Sequence, residues 1–234
     1  MSELDVVRDL AKQTLTIPTS TGDADNFLWC RAQRLAHNVE HICQLPELAK
    51  DGLQIDRFCL IAATYFSMAS HLKTEKTTAK SALSNANSDY LLDFCTKVVE
   101  EKLESCVDKA RIKKINTIIT ESNGHFTKST EAMILSDARN LDDMGATGIF
   151  NEFRRLAYHG KSLCDALQSW KKKIDYRYWQ ARLKESFRFE SVRKLAEQRL
   201  SAAEYFMNQL KLETDAQDLR ELIIKKMDFA VPNK

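Results

Sequence analysis

Only Pro46 interrupts the body of this chain; the other two prolines, Pro18 and Pro232, lie near its ends. Glycine is almost as scarce, at six in 234 residues. Helix-forming residues dominate and breakers are rare, so an all-α fold is expected. The length suffices to bury a substantial core. Lys and Arg number 35 against 33 Asp and Glu, for a net charge of +2. That near-balance gives no basic stripe for nucleic acid and no acidic tail. No apolar run approaches the ~18 residues of a membrane span. The opening Met1-Ser2-Glu3-Leu4-Asp5-Val6 is acidic and then amphipathic, unlike a secretory leader. Six scattered cysteines, Cys30, Cys43, Cys59, Cys95, Cys106 and Cys164, form no Cys-x-x-Cys. Neither a zinc knuckle nor a redox pair is indicated, and buried or half-buried thiols in a reducing, cytoplasmic setting are expected.

Apolar spacings of three and four predict a succession of helices. The first spans 3–15, with Leu4, Val7, Leu10, Ala11 and Leu15 on one side. Ile17-Pro18-Thr19-Ser20-Thr21-Gly22 ends it, and Asp23 or Asp25 can cap the next helix, which runs to about Leu45. Residues 54–72 are apolar on nearly all sides, as in a helix at the centre of a core. Residues 73–88 are polar and suit a connection or a short exposed helix. Helices over 89–106, 108–121, 129–144 and 146–158 follow. A further helix over 162–184 turns Leu163, Leu167, Trp170, Ile174, Tyr178, Ala181 and Leu183 inward. A long helix over 190–212 and an amphipathic tail over 215–228 complete the chain. No repeat or low-complexity tract divides it, and 1–234 reads as one domain.

The most informative stretch is Glu131 to Phe150. Ala132, Leu135, Ala138, Leu141 and Met144 form one apolar face, and Asp137 lies beside it as an inward-leaning acid. Gly145 and Gly148, three apart, would let another backbone approach. The order Asp137-Ala138-x-x-Leu141-Asp142-x-x-Gly145-Ala146-x-Gly148-Ile149 resembles the last metal-ligand segment of the HD superfamily of metal-dependent phosphohydrolases. The run Ser191-Val192-Arg193-Lys194-Leu195-Ala196-Glu197-Gln198-Arg199, followed by Phe206, is similar to the closing helix of one bacterial branch of that family. The resemblance covers about 27–210, with helices 3–15 and 215–228 as additions. It implies a single HD-like helical bundle in which Asp137 closes the site.

The remaining ligands that the resemblance calls for are missing. The family opens its site with a His in the form His-x-x-Arg-Val; here the run is Arg31-Ala32-Gln33-Arg34-Leu35. Its buried helix carries a His-Asp pair; here Phe66 and Ser67 hold those positions. His71 falls where many relatives place a later His, and Ser122 where some place another. One carboxylate cannot bind a divalent cation and activate its water. The expectation is therefore a non-catalytic binding or regulatory module without metal or cofactor. In it Arg31 would replace the metal's charge and pair with Asp137, with Phe66, Ser67 and His71 around an anionic small ligand or a protein partner. Alternatively Arg31 lies on the surface and Asp137 pairs locally. A hydrolase with a rebuilt metal site using Asp137 and His71, and a purely structural oligomerisation unit, are the competing functions. No nucleic-acid or membrane partner is expected, and the oligomeric state is open.

Three other patterns carry chemistry on paper. His37-Asn38-Val39-Glu40-His41 matches the His-x-x-Glu-His spacing of zinc proteases, yet it falls on the polar face of its helix. Lys171-Lys172-Lys173 with Trp170, Tyr176, Tyr178 and Trp179 mixes cations and rings as single-stranded nucleic-acid sites do; helical spacing with Leu167 and Ile174 favours core packing. His159, Ser162 and Cys164 are close in sequence, but no third orienting group for a nucleophile is evident.

Overall fold

The structure is a computed structural model describing residues 2–19, 21–49, 54–74, 86–124 and 127–220. Among these, twelve helices and one pair of two-residue strands account for the regular structure. The all-α expectation holds. The strands, β1 (Ile17–Pro18) and β2 (Ala24–Asp25), pair antiparallel with Ile17 opposite Asp25. Two compact units are distinguishable within the span 1–234. The first is Met1–Asp142 with Lys184–Lys194; the second is Asp143–Leu183 with Leu195–Lys234.

The first unit is organised around α4 (Arg57–Ser67). Asp56 caps it, accepting from the Cys59 N–H at 3.0 Å. Every residue from Cys59 to Ala69 is buried. Such a helix is stable only with neighbours on all sides. They are α1 (Glu3–Leu15), α2 (Phe27–Ile42), α6 (Ala86–Leu103), α7 (Lys109–Glu121) and α8 (Thr130–Asp142). Ser2 and Asp5 form a capping box on α1, and Asp108 caps α7 through Ala110 and Arg111. Asp25 accepts from the Phe27 N–H at 2.9 Å at the start of α2. Short helices α3 (Pro46–Ala49) and α5 (Ser70–Thr74) flank α4. Lys114 of α7 lies 3.2 Å from both Asp56 and Glu131, joining the starts of α4 and α8. The polar 73–88 stretch and the tail beyond residue 220 fall largely outside the described residues.

The second unit contains α9 (Gly145–Tyr158), α10 (Leu163–Asp175), most of α11 (Tyr178–Glu185) and the larger part of α12 (Glu190–Thr214). Ile149, Ala203 and Met207 form its buried centre, with Phe153, Leu167, Trp170 and Leu210 against it. At Gly145 the backbone has φ +73°, and a Cβ there would come within 2.9 Å of Arg199. At Gly148 the obstruction is local, the carbonyl of Asp143. The single helix expected over 162–184 is two helices. The backbone of Arg177 turns left-handed, φ +52°, after Tyr176 N–H and Arg177 N–H have closed the last turn of α10 on Lys172 and Ile174 carbonyls. Trp179 then packs on Trp170, ring centroids 5.4 Å apart, while Leu163, Ile174 and Tyr178, expected inward, are exposed.

Leu135 and Leu141 are both buried on α8, which packs on α2, α7 and α4. Leu135→Ala should lower unfolding free energy by about 2–5 kcal/mol, read by urea denaturation. A loss under about 0.5 kcal/mol would place that face outside the core.

Candidate functional site: two buried carboxylates on one helix

Helix α8 carries Asp137 and Asp142, and both are fully buried. A buried carboxylate must find donors or a cation. Asp137 finds main chain. Its Oδ1 accepts from the Arg188 N–H at 2.8 Å, and Oδ2 accepts from Arg188 at 3.1 Å and from Phe189 at 3.0 Å. Both donors immediately precede Glu190, the first residue of α12. Unpaired N–H groups at a helix start attract anions, and here the anion is the chain's own side chain. The same returning segment is held at two other points. Asn140 donates to the Ser186 carbonyl at 2.9 Å, and the Ser191 N–H donates to Glu47 Oε1 at 2.9 Å. Phe187, Phe189 and Val192 are buried beside these anchors.

Asp142 finds guanidinium groups. Arg31 Nε donates to its Oδ2 at 2.8 Å. Arg34 Nε donates to its Oδ1 at 2.5 Å, and Arg34 Nη2 reaches Oδ2 at 3.3 Å. The two arginines are one turn apart on α2, so both forks converge on one carboxylate. The Arg31 side chain is 12% exposed and that of Arg34 32%.

The expected pairing of Arg31 with Asp137 is therefore corrected: Arg31 bonds to Asp142, and Asp137 to Arg188 and Phe189. The two acids are five positions apart, which rotates their side chains apart around the helix, one towards α2 and the other towards the segment before α12. The sequence reading missed Asp142 and Arg34 as site residues although both stand in the quoted motifs. The i, i+3 spacing of Arg31 and Arg34 was the available signal. Nothing local in the sequence marks Arg188 and Phe189, because they contribute main-chain groups.

Phe66 is fully buried, and Ser67 donates its hydroxyl to the Thr64 carbonyl at 2.8 Å. His71 is half-buried on α5. Ser122 is buried, donating to the Ile119 carbonyl and accepting from Arg139 at 3.3 Å. Arg31, Phe66 and Asp137 thus lie on three mutually packed helices, α2, α4 and α8. The donor set does not fit a metal of the kind the HD resemblance implies. Both oxygens of Asp137 accept main-chain hydrogen bonds, and Phe66 and Arg31 supply no lone pair. Among the described residues, no three His, Cys, Asp or Glu side chains gather as a metal set. His37, Glu40 and His41 are exposed on α2. Ser162 is occupied in a capping box with Asp165 at the start of α10. Burial pushes the Cys59 thiol up to about 12, so it is no thiolate nucleophile at neutral pH.

Burial likewise pushes the Asp137 carboxyl from its ordinary 3.8 up to about 6, against the pull of the two main-chain N–H groups. The unfolded chain would ionise this group near pH 4. Its stabilising contribution is therefore full below about pH 4 and lost as pH rises through about 6. That displacement corresponds to about 3 kcal/mol. Asp137→Asn, which cannot titrate, should gain on the wild type by that order between about pH 4 and 7 in urea unfolding. A pH-independent difference would contradict the buried, titrating carboxyl. At Asp142, replacement by Ala strands two guanidinium groups and should cost about 3–5 kcal/mol. Arg34→Ala, at the more exposed partner, should cost about 1 kcal/mol. Equal losses would contradict the geometry described.

Neither a protein-family model nor a curated protein matches the chain. Solved structures do resemble it. YpgQ of Bacillus subtilis, in a structure with ADP, matches with a TM-score of 0.58 at 20% identity, over 90% of this chain and 94% of that one. The Lin1889 protein from Listeria innocua matches with a TM-score of 0.56 at 20% identity, over 92% of this chain and 98% of that one. At such identity the likeness speaks for the fold alone: this chain shares the helical fold of YpgQ and Lin1889.

Proposed function

We propose that this chain is a non-catalytic protein of HD-like fold that acts as a binding or regulatory module for an anionic small ligand. The observation that carries the proposal is the use of Asp137. In the family that the sequence resembles, the matching Asp closes a metal site; here its carboxylate is hydrogen-bonded to Arg188 and Phe189. Asp142 is bridged to Arg31 and Arg34, and by the sequence resemblance Arg31 stands where the family's first His would be, which supports the reading of a lost metal site. Fold likeness alone transfers no reaction once the reacting groups differ.

The anionic ligand follows from the two arginines. A phosphate oxygen approaching Arg34 would exchange one arm of the bridge for a bond of the same charge-assisted kind. ADP is the natural first probe, since it is the molecule bound in the YpgQ structure. Calorimetric titration should show ADP binding that weakens about tenfold or more in Arg34→Ala. Binding unchanged in that variant would remove the arginine pair from the ligand site. Phosphatase and phosphodiesterase assays with added manganese, nickel or zinc should stay at background. Turnover abolished by Asp137→Ala, with stoichiometric metal in the wild type, would overturn the proposal and restore a hydrolase.

A further inference from the structure

The junction of α10 and α11, in the second unit, carries a surface unrelated to the buried carboxylates. Over residues 170–183, five basic side chains (Lys171, Lys172, Lys173, Arg177 and Arg182) stand against one acid, Asp175. Lys171 pairs with Asp175, Lys173 with Glu152 and Arg182 with Asp143, so the local excess that the whole-chain balance hides is carried by Lys172 and Arg177. Helical spacing favours burial of the aromatics interleaved with these cations, yet the structure divides them. Trp170 and Trp179 pack together, whereas Tyr176 is 82% exposed and Tyr178 is 42% exposed. The Tyr178 ring has Lys173 Nζ and the Arg182 guanidinium each 6.0 Å from its centroid.

The backbone adds an independent observation. Arg177 occupies the left-handed position after a helix end, φ +52°, where Gly or Asn is the ordinary residue. An arginine there strains the turn and displays an exposed cation beside two exposed rings. Among the described residues, Lys172 and Arg177 meet no acidic partner, and Lys171 is held by an exposed pair with Asp175 that contributes little.

We infer that the α10–α11 junction binds single-stranded nucleic acid: a base stacks on Tyr176, and backbone phosphates meet Lys172 and Arg177. An exposed ring at Tyr176 beside the cations of Lys172 and Arg177 suits unpaired bases, which offer a stacking face and a phosphate together. A duplex buries the faces of its bases and leaves Tyr176 without that contact.

Fluorescence anisotropy with a labelled oligothymidylate of about 15 nucleotides tests this on the full chain, with a duplex of equal length for comparison. The single strand should bind more tightly than the duplex. Its affinity should fall with salt with a log–log slope of about −1.4 to −2.1, for two or three phosphates. Tyr176→Ala should weaken binding about 5- to 100-fold. Arg177→Gly should weaken binding while leaving the thermal midpoint unchanged or higher, because Gly suits the turn; a merely structural arginine would not give that split. No binding, or binding indifferent to both substitutions, overturns the inference. Equal affinity for duplex and single strand makes this a general polyanion surface and also overturns it. So does adsorption to phosphatidylserine vesicles without any response to the oligonucleotide.

Discussion

A carboxylate with no access to water must be given donors, and the environment of Asp137 is the solution on which much of the first unit depends. Its two oxygens gather the N–H groups of Arg188 and Phe189, which fixes where the returning chain meets α8. Asn140 and Glu47 hold the same segment on either side, at Ser186 and Ser191. The start of α12 is thereby set, and Phe187, Phe189 and Val192 are carried into the core. Alanine at 137 would leave two main-chain donors without a partner, a larger penalty than the loss of an ordinary surface bond.

Asp142 solves the same problem in the opposite way. Main-chain N–H groups carry no net charge, so Asp137 remains a costly buried anion and its carboxyl is raised to about 6. Asp142 is neutralised by guanidinium groups that reach it from α2. One helix thus presents a carboxylate held by dipoles and another held by cations. A metal centre needs several lone-pair ligands converging on one point, and beside Asp137 the family's ligand positions are held by Arg31 and Phe66, which offer none. This is the physical content of the proposed loss of hydrolysis, and it rests on donor chemistry within the fold.

The helical fold was legible because its signals are local. Breaker scarcity and three-and-four spacing survive in the structure, with α1 matching its expected bounds; the apolar run expected as one helix over 54–72 is α4 at the centre of the first unit followed, after Met68-Ala69, by the short α5. The break at Tyr176-Arg177 was illegible, since no Gly or Pro marks it and the αL turn is made by an arginine. At the candidate site, the importance of 137 and 31 could be read from motif order, but their partners could not. Which face of α8 meets α2 depends on packing across more than a hundred residues, and the donors to Asp137 belong to the main chain, where side-chain identity gives no hint. Arg34 is the exception. Its spacing from Arg31 was visible, and only the assumption of a single inward acid concealed it.

The most direct measurement is the titration of the Asp137 side-chain carboxyl by carbon-13 NMR, with and without zinc. The expected midpoint is about 6, as burial dictates, and it should not move when zinc is added. A midpoint driven down by stoichiometric zinc would show that the carboxylate exchanges its main-chain donors for a metal. Asp137 would then be a ligand, and the account of a structural carboxylate in a non-catalytic fold would fail.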